Sequence, residues 1–216
     1  LYAYLQRKTR YVSVQIGIGG FKPTAASEVD RLGYGDCKGL VNYMQALLNA
    51  VGIPSYYCVV QAGSAKRDMQ ADFAGMEQGN HVILCLPFEN DTTWLECTSQ
   101  QTPFGFLGSF TDDRTVWACT PQGGKLLRTP RYAAEASSQR RQATLTLDGD
   151  GTLAGTVETE FAAGQYDNHL EIAESDGSEQ LKLLKAAYDI DHIAFGDVAY
   201  RKAESGMPIL TETFDV

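Results

Sequence analysis

The chain has no CxxC pair, only three histidines, no run of basic residues and no apolar stretch long enough to cross a membrane. Each absence removes a class of function. A structural zinc site needs paired cysteines or Cys/His sets at short spacing, so no metal is expected. Nucleic-acid affinity rests on clustered Lys and Arg that neutralise phosphates, and a net charge of −9 without a basic run opposes it. The longest apolar run, 82–88, falls far short of the roughly 20 residues of a membrane span and suits a buried strand. Two glycine-rich strings are weaker than they look. Gly17-Ile18-Gly19-Gly20 lacks the third glycine of a dinucleotide fingerprint and leads into Phe21-Lys22-Pro23 rather than a helix. Asp148-Gly149-Asp150-Gly151 lacks the later ligands of a calcium loop and reads as a turn.

What is present is unevenly spread. Before position 140 there are 12 acidic and 12 basic side chains; from there on there are 15 and 6. All five cysteines (37, 58, 85, 97 and 119) lie in the first part. Two compositions in one chain predict two domains, at 1–130 and 141–216, joined by a small, polar linker at 131–140. The start at Leu1, with no cationic segment before an apolar core, reads as a processed or cut chain.

Periodicity supplies the elements. The first ten residues read as the tail of a helix and 11–16 as an extended segment. Thr24 is expected to cap a short helix that runs to Leu32 and stops at Gly33. Leu40, Met44, Leu47, Leu48 and Val51 recur at helical spacing until Gly52 and Pro54. Residues 55–61 are β-branched and aromatic, 62–79 form a surface loop, and 81–88 with 92–98 form a hairpin turning at Glu89-Asn90-Asp91. A further hairpin turns at 122–124. Beyond the linker, strands at 144–147 and 152–161 precede one helix at 178–188 and strands near 192–202 and 208–214. The fold class is therefore α+β, with a small β-rich domain at the C-terminal end.

The candidate chemistry begins at Cys37. Asp36 is placed to cap the long helix, which puts Cys37 in its first turn, where free amides and the helix dipole stabilise an anion and can donate to an oxyanion. The negative charge of Asp36 opposes a neighbouring thiolate and Lys38 offsets it. Cys58, Cys85 and Cys97 sit in strand-like runs and read as small buried hydrophobes. An odd cysteine count leaves at least one thiol free in a monomer. A nucleophile needs a base and the base an orienting group. His169 and His192 fall in the second part, which leaves His81. If 81 lies about opposite 98, Glu96 faces the same side as His81 as a diagonal neighbour at about 7–8 Å, and Cys97 faces the other side.

At these residues the chain resembles the transglutaminase-like family of the papain-like cysteine protease superfamily. The motifs are Gly35-Asp36-Cys37-Lys38 at a helix start, Gly52-Ile53-Pro54 before a strand, Asn80-His81-Val82, and Trp94-Leu95-Glu96-Cys97-Thr98. The likeness spans roughly residues 1–130 and further resembles a bacterial subgroup in which an N-terminal β domain, the transglutaminase-like core and a C-terminal β domain follow one another. It implies a papain-like core with its helix packed on an antiparallel sheet. It also implies that Cys37 is the nucleophile, His81 the general base and acid, and Glu96 the orienting group, acting on a peptide or protein substrate with no cofactor. Two positions depart from the family pattern. Glu96 stands where Asp is usual. Gly39 stands where relatives often carry Asp, at a helix cost of about 1 kcal/mol against alanine. Gln15 and Tyr11 are the candidate oxyanion donors. The alternative function is a non-catalytic scaffold that binds a surface polymer or a protein partner.

Overall fold

The computed structural model describes residues 1–73, 75–89, 91–203 and 206–216, and for residue 76 the backbone alone. The chain forms two compact units, Leu1–Arg131 and Tyr132–Val216. Both combine helices with antiparallel sheet, which makes the protein α+β.

In the first unit, helix α1 (Tyr2–Lys8) leads into a two-residue strand β1 (Arg10–Tyr11), paired in parallel with β2 (Tyr34–Gly35). Of the segment expected to be extended at 11–16, strand pairing reaches only Tyr11; Ile16 keeps an extended backbone before the short 3-10 helix at Gly17–Gly20. Helix α2 (Ala26–Leu32) starts one residue after Ala25, without a side-chain cap. The cap expected from Thr24 is not made; its carbonyl instead accepts from the Asn42 side chain at 3.0 Å. Gly33 does end α2, at a φ of 70° that favours glycine.

Helix α3 (Cys37–Ala50) begins as its sequence demands. The Asp36 carboxylate accepts from the Gly39 amide at 2.9 Å, satisfying one of the helix's free donors. Leu40, Val41, Met44 and Leu48 form its buried stripe. Gly39 has a use that its helix propensity hides. A Cβ there would meet the Thr24 Cβ at 3.3 Å and the Val29 Cγ2 at 3.4 Å, so glycine lets α2 and the chain before it come close.

The stripe packs on a five-stranded sheet of order β5-β4-β3-β6-β7, antiparallel throughout. Its strands are β3 (Tyr56–Val60), β4 (His81–Phe88), β5 (Asp91–Leu95), β6 (Thr115–Thr120) and β7 (Gly123–Arg128). Alternation along β4 divides two cores. Val82, Leu84 and Leu86 meet α3, while Ile83 and Cys85 pack with Cys58, Val60 and Trp94 on the other face. The β4–β5 turn expected at 89–91 includes Asn90, which lies outside the described residues. Arg114, fully buried, ties the end of β3 to the segment before β6. Its guanidinium donates to the carbonyls of Gln61 at 2.6 Å and Ser109 at 3.0 Å, and to those of Gly63 and Asp112.

The second unit is a four-stranded sheet of order β10-β11-β9-β8, with β8 (Gln139–Leu147), β9 (Leu153–Ala162), β10 (Val198–Ala203) and β11 (Ile209–Asp215). Phe161, Tyr166, Leu184, Leu210 and Phe214 are buried in it. The buried Glu212 accepts from the Tyr188 and Tyr200 hydroxyls, each at 2.6 Å. Three expectations need correction. There are two helices, α4 (Gly164–Glu174) and α5 (Gly177–Tyr188), not one; α4 buries only Tyr166 and Ile172, too few apolar positions to announce a helical stripe. The strand expected near 192 starts at Val198. Gln139 and Arg140 belong to β8 rather than to a linker, since they pair with Phe161 and Glu160.

Candidate active site

Three elements of the first unit converge on one point. Cys37 is the first residue of α3, with 6% of its surface exposed. Asp36 before it and Lys38 after it are both buried and form an ion pair with each other. The Asp36 charge that opposes a neighbouring thiolate is thereby neutralised within the same turn.

His81 opens β4, paired with Val60 at the end of β3. Its position is set one residue earlier. The Asn80 side chain accepts from the Ala62 amide at 2.7 Å and donates to the Ala62 carbonyl at 3.1 Å, which locks the start of β4 to the chain leaving β3. Glu96 follows β5 directly. The Leu84–Leu95 and Cys85–Trp94 pairs give the register that would set 81 opposite 98, as expected, but strand pairing stops at Leu95 instead of continuing to 98. Glu96 is thus freed from the ladder and its carboxylate folds back to His81. His81 Nε2 and Glu96 Oε2 lie 2.9 Å apart, and Cys37 is near enough to the imidazole to favour its charged form. Cys97 lies in the apolar cluster against α3, on the side away from Glu96 that alternation predicts.

Burial alone would push the His81 pKa down; the Glu96 charge and hydrogen bond and the nearby Cys37 overcome it and raise it to about 10. Burial likewise pushes the Glu96 carboxyl up, but the His81 charge and the hydrogen bonds from His81 and Thr98 hold it below the ordinary value. The pair is therefore an imidazolium and a carboxylate at neutral pH.

Other neighbours carry no catalytic role in the sequence reading. Thr98 donates its amide (3.0 Å) and its hydroxyl (2.6 Å) to Glu96 Oε1. The Phe110 ring stands edge-on to His81 at 5.3 Å. Tyr57 packs against the cluster that includes Cys37; burial, followed by the charges of Cys37 and Asp36, raises its phenol well above the ordinary range. Thr98 could have been found from its place two residues past Glu96, on the same face of an extended chain. Phe110 and Tyr57 had no local signal. Of the two oxyanion candidates, Tyr11 pairs with Gly35, two residues before Cys37, and Gln15 is exposed on the loop beyond it. His169 and His192 belong to the second unit, where His169 stacks on Phe161 at 3.7 Å. Among the described residues, no group of three or more His, Cys, Asp and Glu is disposed to hold a metal ion.

The segment that carries Glu96 is held by α1. The buried Tyr2 hydroxyl donates to the Glu96 carbonyl at 2.7 Å and approaches the Thr102 carbonyl at 3.1 Å, while the Gln6 side chain donates to the Ser99 and Thr102 carbonyls. Tyr2→Phe leaves a buried carbonyl without its donor. Thermal or urea unfolding should show a loss of about 1–2 kcal/mol. A loss within error would mean that water replaces the phenol there.

No protein-family model matches the chain, and no curated protein matches it. Among solved structures it is similar to a protein from Parabacteroides distasonis provisionally described as a protease, with a TM-score of 0.46 and 11% identity. The match covers 99% of this chain and 44% of that one, so this chain spans less than half the length of that protein. No helix among the described residues is long and apolar enough to cross a membrane.

Proposed function

We propose that the first unit is a transglutaminase-like cysteine acyl-transfer enzyme acting on peptide or protein amides. The observation that carries this reading is a single imidazole, His81, hydrogen-bonded to Glu96 at 2.9 Å and within electrostatic reach of Cys37 at the head of a helix. Nucleophile, base and orienting group are thereby in the order that covalent catalysis needs.

The steps follow from those positions. The Cys37 thiolate attacks the amide carbonyl carbon, forming a C–S bond as the carbonyl electrons move to oxygen. Collapse of that intermediate breaks the C–N bond, and the His81 imidazolium gives its proton to the departing amine. Water or a second amine then attacks the thioester while His81 takes its proton, and the C–S bond breaks to restore the thiolate beside the imidazolium. Water as acceptor makes the enzyme a peptidase or deamidase; a second amine makes it a cross-linking enzyme. Glu96 holds the imidazole throughout and offsets its charge.

The test uses a contrast within the chain. Cys37 is buried, whereas Cys119 is an exposed free thiol. At pH 6 an ordinary thiol, with a pKa near 8.5, is only about 0.3% thiolate. On the acyl-transfer reading, iodoacetamide at pH 6 should modify Cys37 before Cys119, as read by mass spectrometry of the digested protein. If Cys119 reacts first, accessibility alone governs reactivity and the scaffold reading replaces this one.

A further inference from the structure

We propose that Thr98 is a positioning residue that clamps the Glu96 carboxylate so that its other oxygen can hold His81, an inference that rests on the acyl-transfer reading. A glutamate reaching out of the end of a strand has three side-chain torsions, and one hydrogen bond to a ring nitrogen leaves several of them soft. Here the carboxylate is held at both oxygens by different partners. Oε1 accepts from the Thr98 amide at 3.0 Å and from the Thr98 hydroxyl at 2.6 Å; Oε2 meets His81 Nε2 at 2.9 Å. Because the chain leaves the ladder after Leu95, no strand partner fixes this stretch. Thr98 supplies the fixing locally, from two residues away, and α1 braces the backbone from behind through Tyr2.

The division of labour between the oxygens gives the clamp its consequence. The two donors on Oε1 set the carboxylate plane, and that plane decides whether Oε2 lies in line with the imidazole N–H. Without the hydroxyl, one amide donor remains and the carboxylate can turn about it. The His81–Glu96 bond then weakens, and with it the preference for imidazolium beside the Cys37 thiol. Thr98 never touches the reacting atoms; it acts through Glu96.

Thr98→Val removes the hydroxyl at nearly constant volume, and Thr98→Ser restores it. Two readouts are needed: the NMR titration of the His81 ring, and the pH profile of Cys37 alkylation with Cys119 as internal control. Thr98→Val should move the His81 titration to lower pH and slow Cys37 at pH 6 by roughly 3- to 10-fold, and Thr98→Ser should recover both. A residue that only closes a turn would leave the titration and the shape of the profile unchanged in Thr98→Val. That result overturns the clamp. If Thr98→Val does not fold by circular dichroism, Thr98→Ala takes its place with the same two readouts. His81→Ala run in parallel separates the two readings: if it leaves Cys37 reactivity unchanged, the acyl-transfer reading falls, while the His81 titration in Thr98→Val still decides whether the clamp exists.

Discussion

His81→Ala should slow alkylation of Cys37 at pH 6 by up to about 10-fold while leaving the Cys119 rate as it was. The size follows from two opposing effects. Glu96 favours the charged form of His81, and an imidazolium favours the thiolate form of a cysteine near it, the form that alkylation consumes. The most that any such pairing can add at pH 6 is complete ionisation, about 300-fold over the roughly 0.3% thiolate of an ordinary thiol. A more stabilised thiolate is also a weaker nucleophile, with a Brønsted slope of about 0.4–0.5, which returns more than half of that gain on a logarithmic scale. About 10-fold is the remainder. The difference should close as pH rises above 9, where even an ordinary thiol is mostly ionised. A uniform drop at every pH, with Cys119 also altered, would instead indicate a disturbed fold. An unchanged Cys37 rate would remove His81 from any partnership with it.

The parts of this site that were legible in the sequence are those set by local rules. Asp36 and Cys37 could be placed because a helix start announces itself: an acid that can cap, then an apolar stripe at helical spacing. His81 could be placed because it opens an eight-residue apolar strand. Glu96 was reachable only through register, and the observed pairs Leu84–Leu95 and Cys85–Trp94 are those the inferred register requires. The inferred length of β5 was too long, however. Thr92–Thr98 alternates well enough to read as strand, but Tyr2 and Thr98 capture the end of it, and Tyr2 lies more than ninety residues away in the chain. Phe110 was invisible for a similar reason. It sits in a loop without periodicity, and its place beside His81 depends on the buried Arg114 drawing that loop to the end of β3. The glycine at 39 was read as a weak helix residue because the close approach of Val29 and Thr24 has no sequence signature. Helix α4 failed for lack of an apolar stripe.

Glu96→Gln should bring the His81 titration well down from about 10, because burial, the largest influence on this ring, would then be opposed by Cys37 alone. Cys37 alkylation at pH 6 should fall with it, toward the rate of His81→Ala, since a neutral imidazole no longer favours a thiolate. Glu96→Asp keeps the charge and should retain much of the reactivity, to the extent that the shorter side chain still meets the ring. The same pair fixes a pH dependence of stability. His81 has a raised pKa, so its contribution is fully present below about 6.5 and is lost as pH rises toward 10. Glu96 has a lowered pKa, so its contribution is present above its ordinary value of 4.5 and is lost as pH falls further. The two windows overlap between about pH 4.5 and 6.5. The difference in melting temperature between wild type and Glu96→Gln should therefore be largest near pH 5–6.5 and should shrink steadily toward pH 10. A difference that is flat from pH 5 to 10 would mean that the glutamate supports the fold without pairing its charge with His81. In that case Cys37 would have to be reactive, if at all, through the helix start alone.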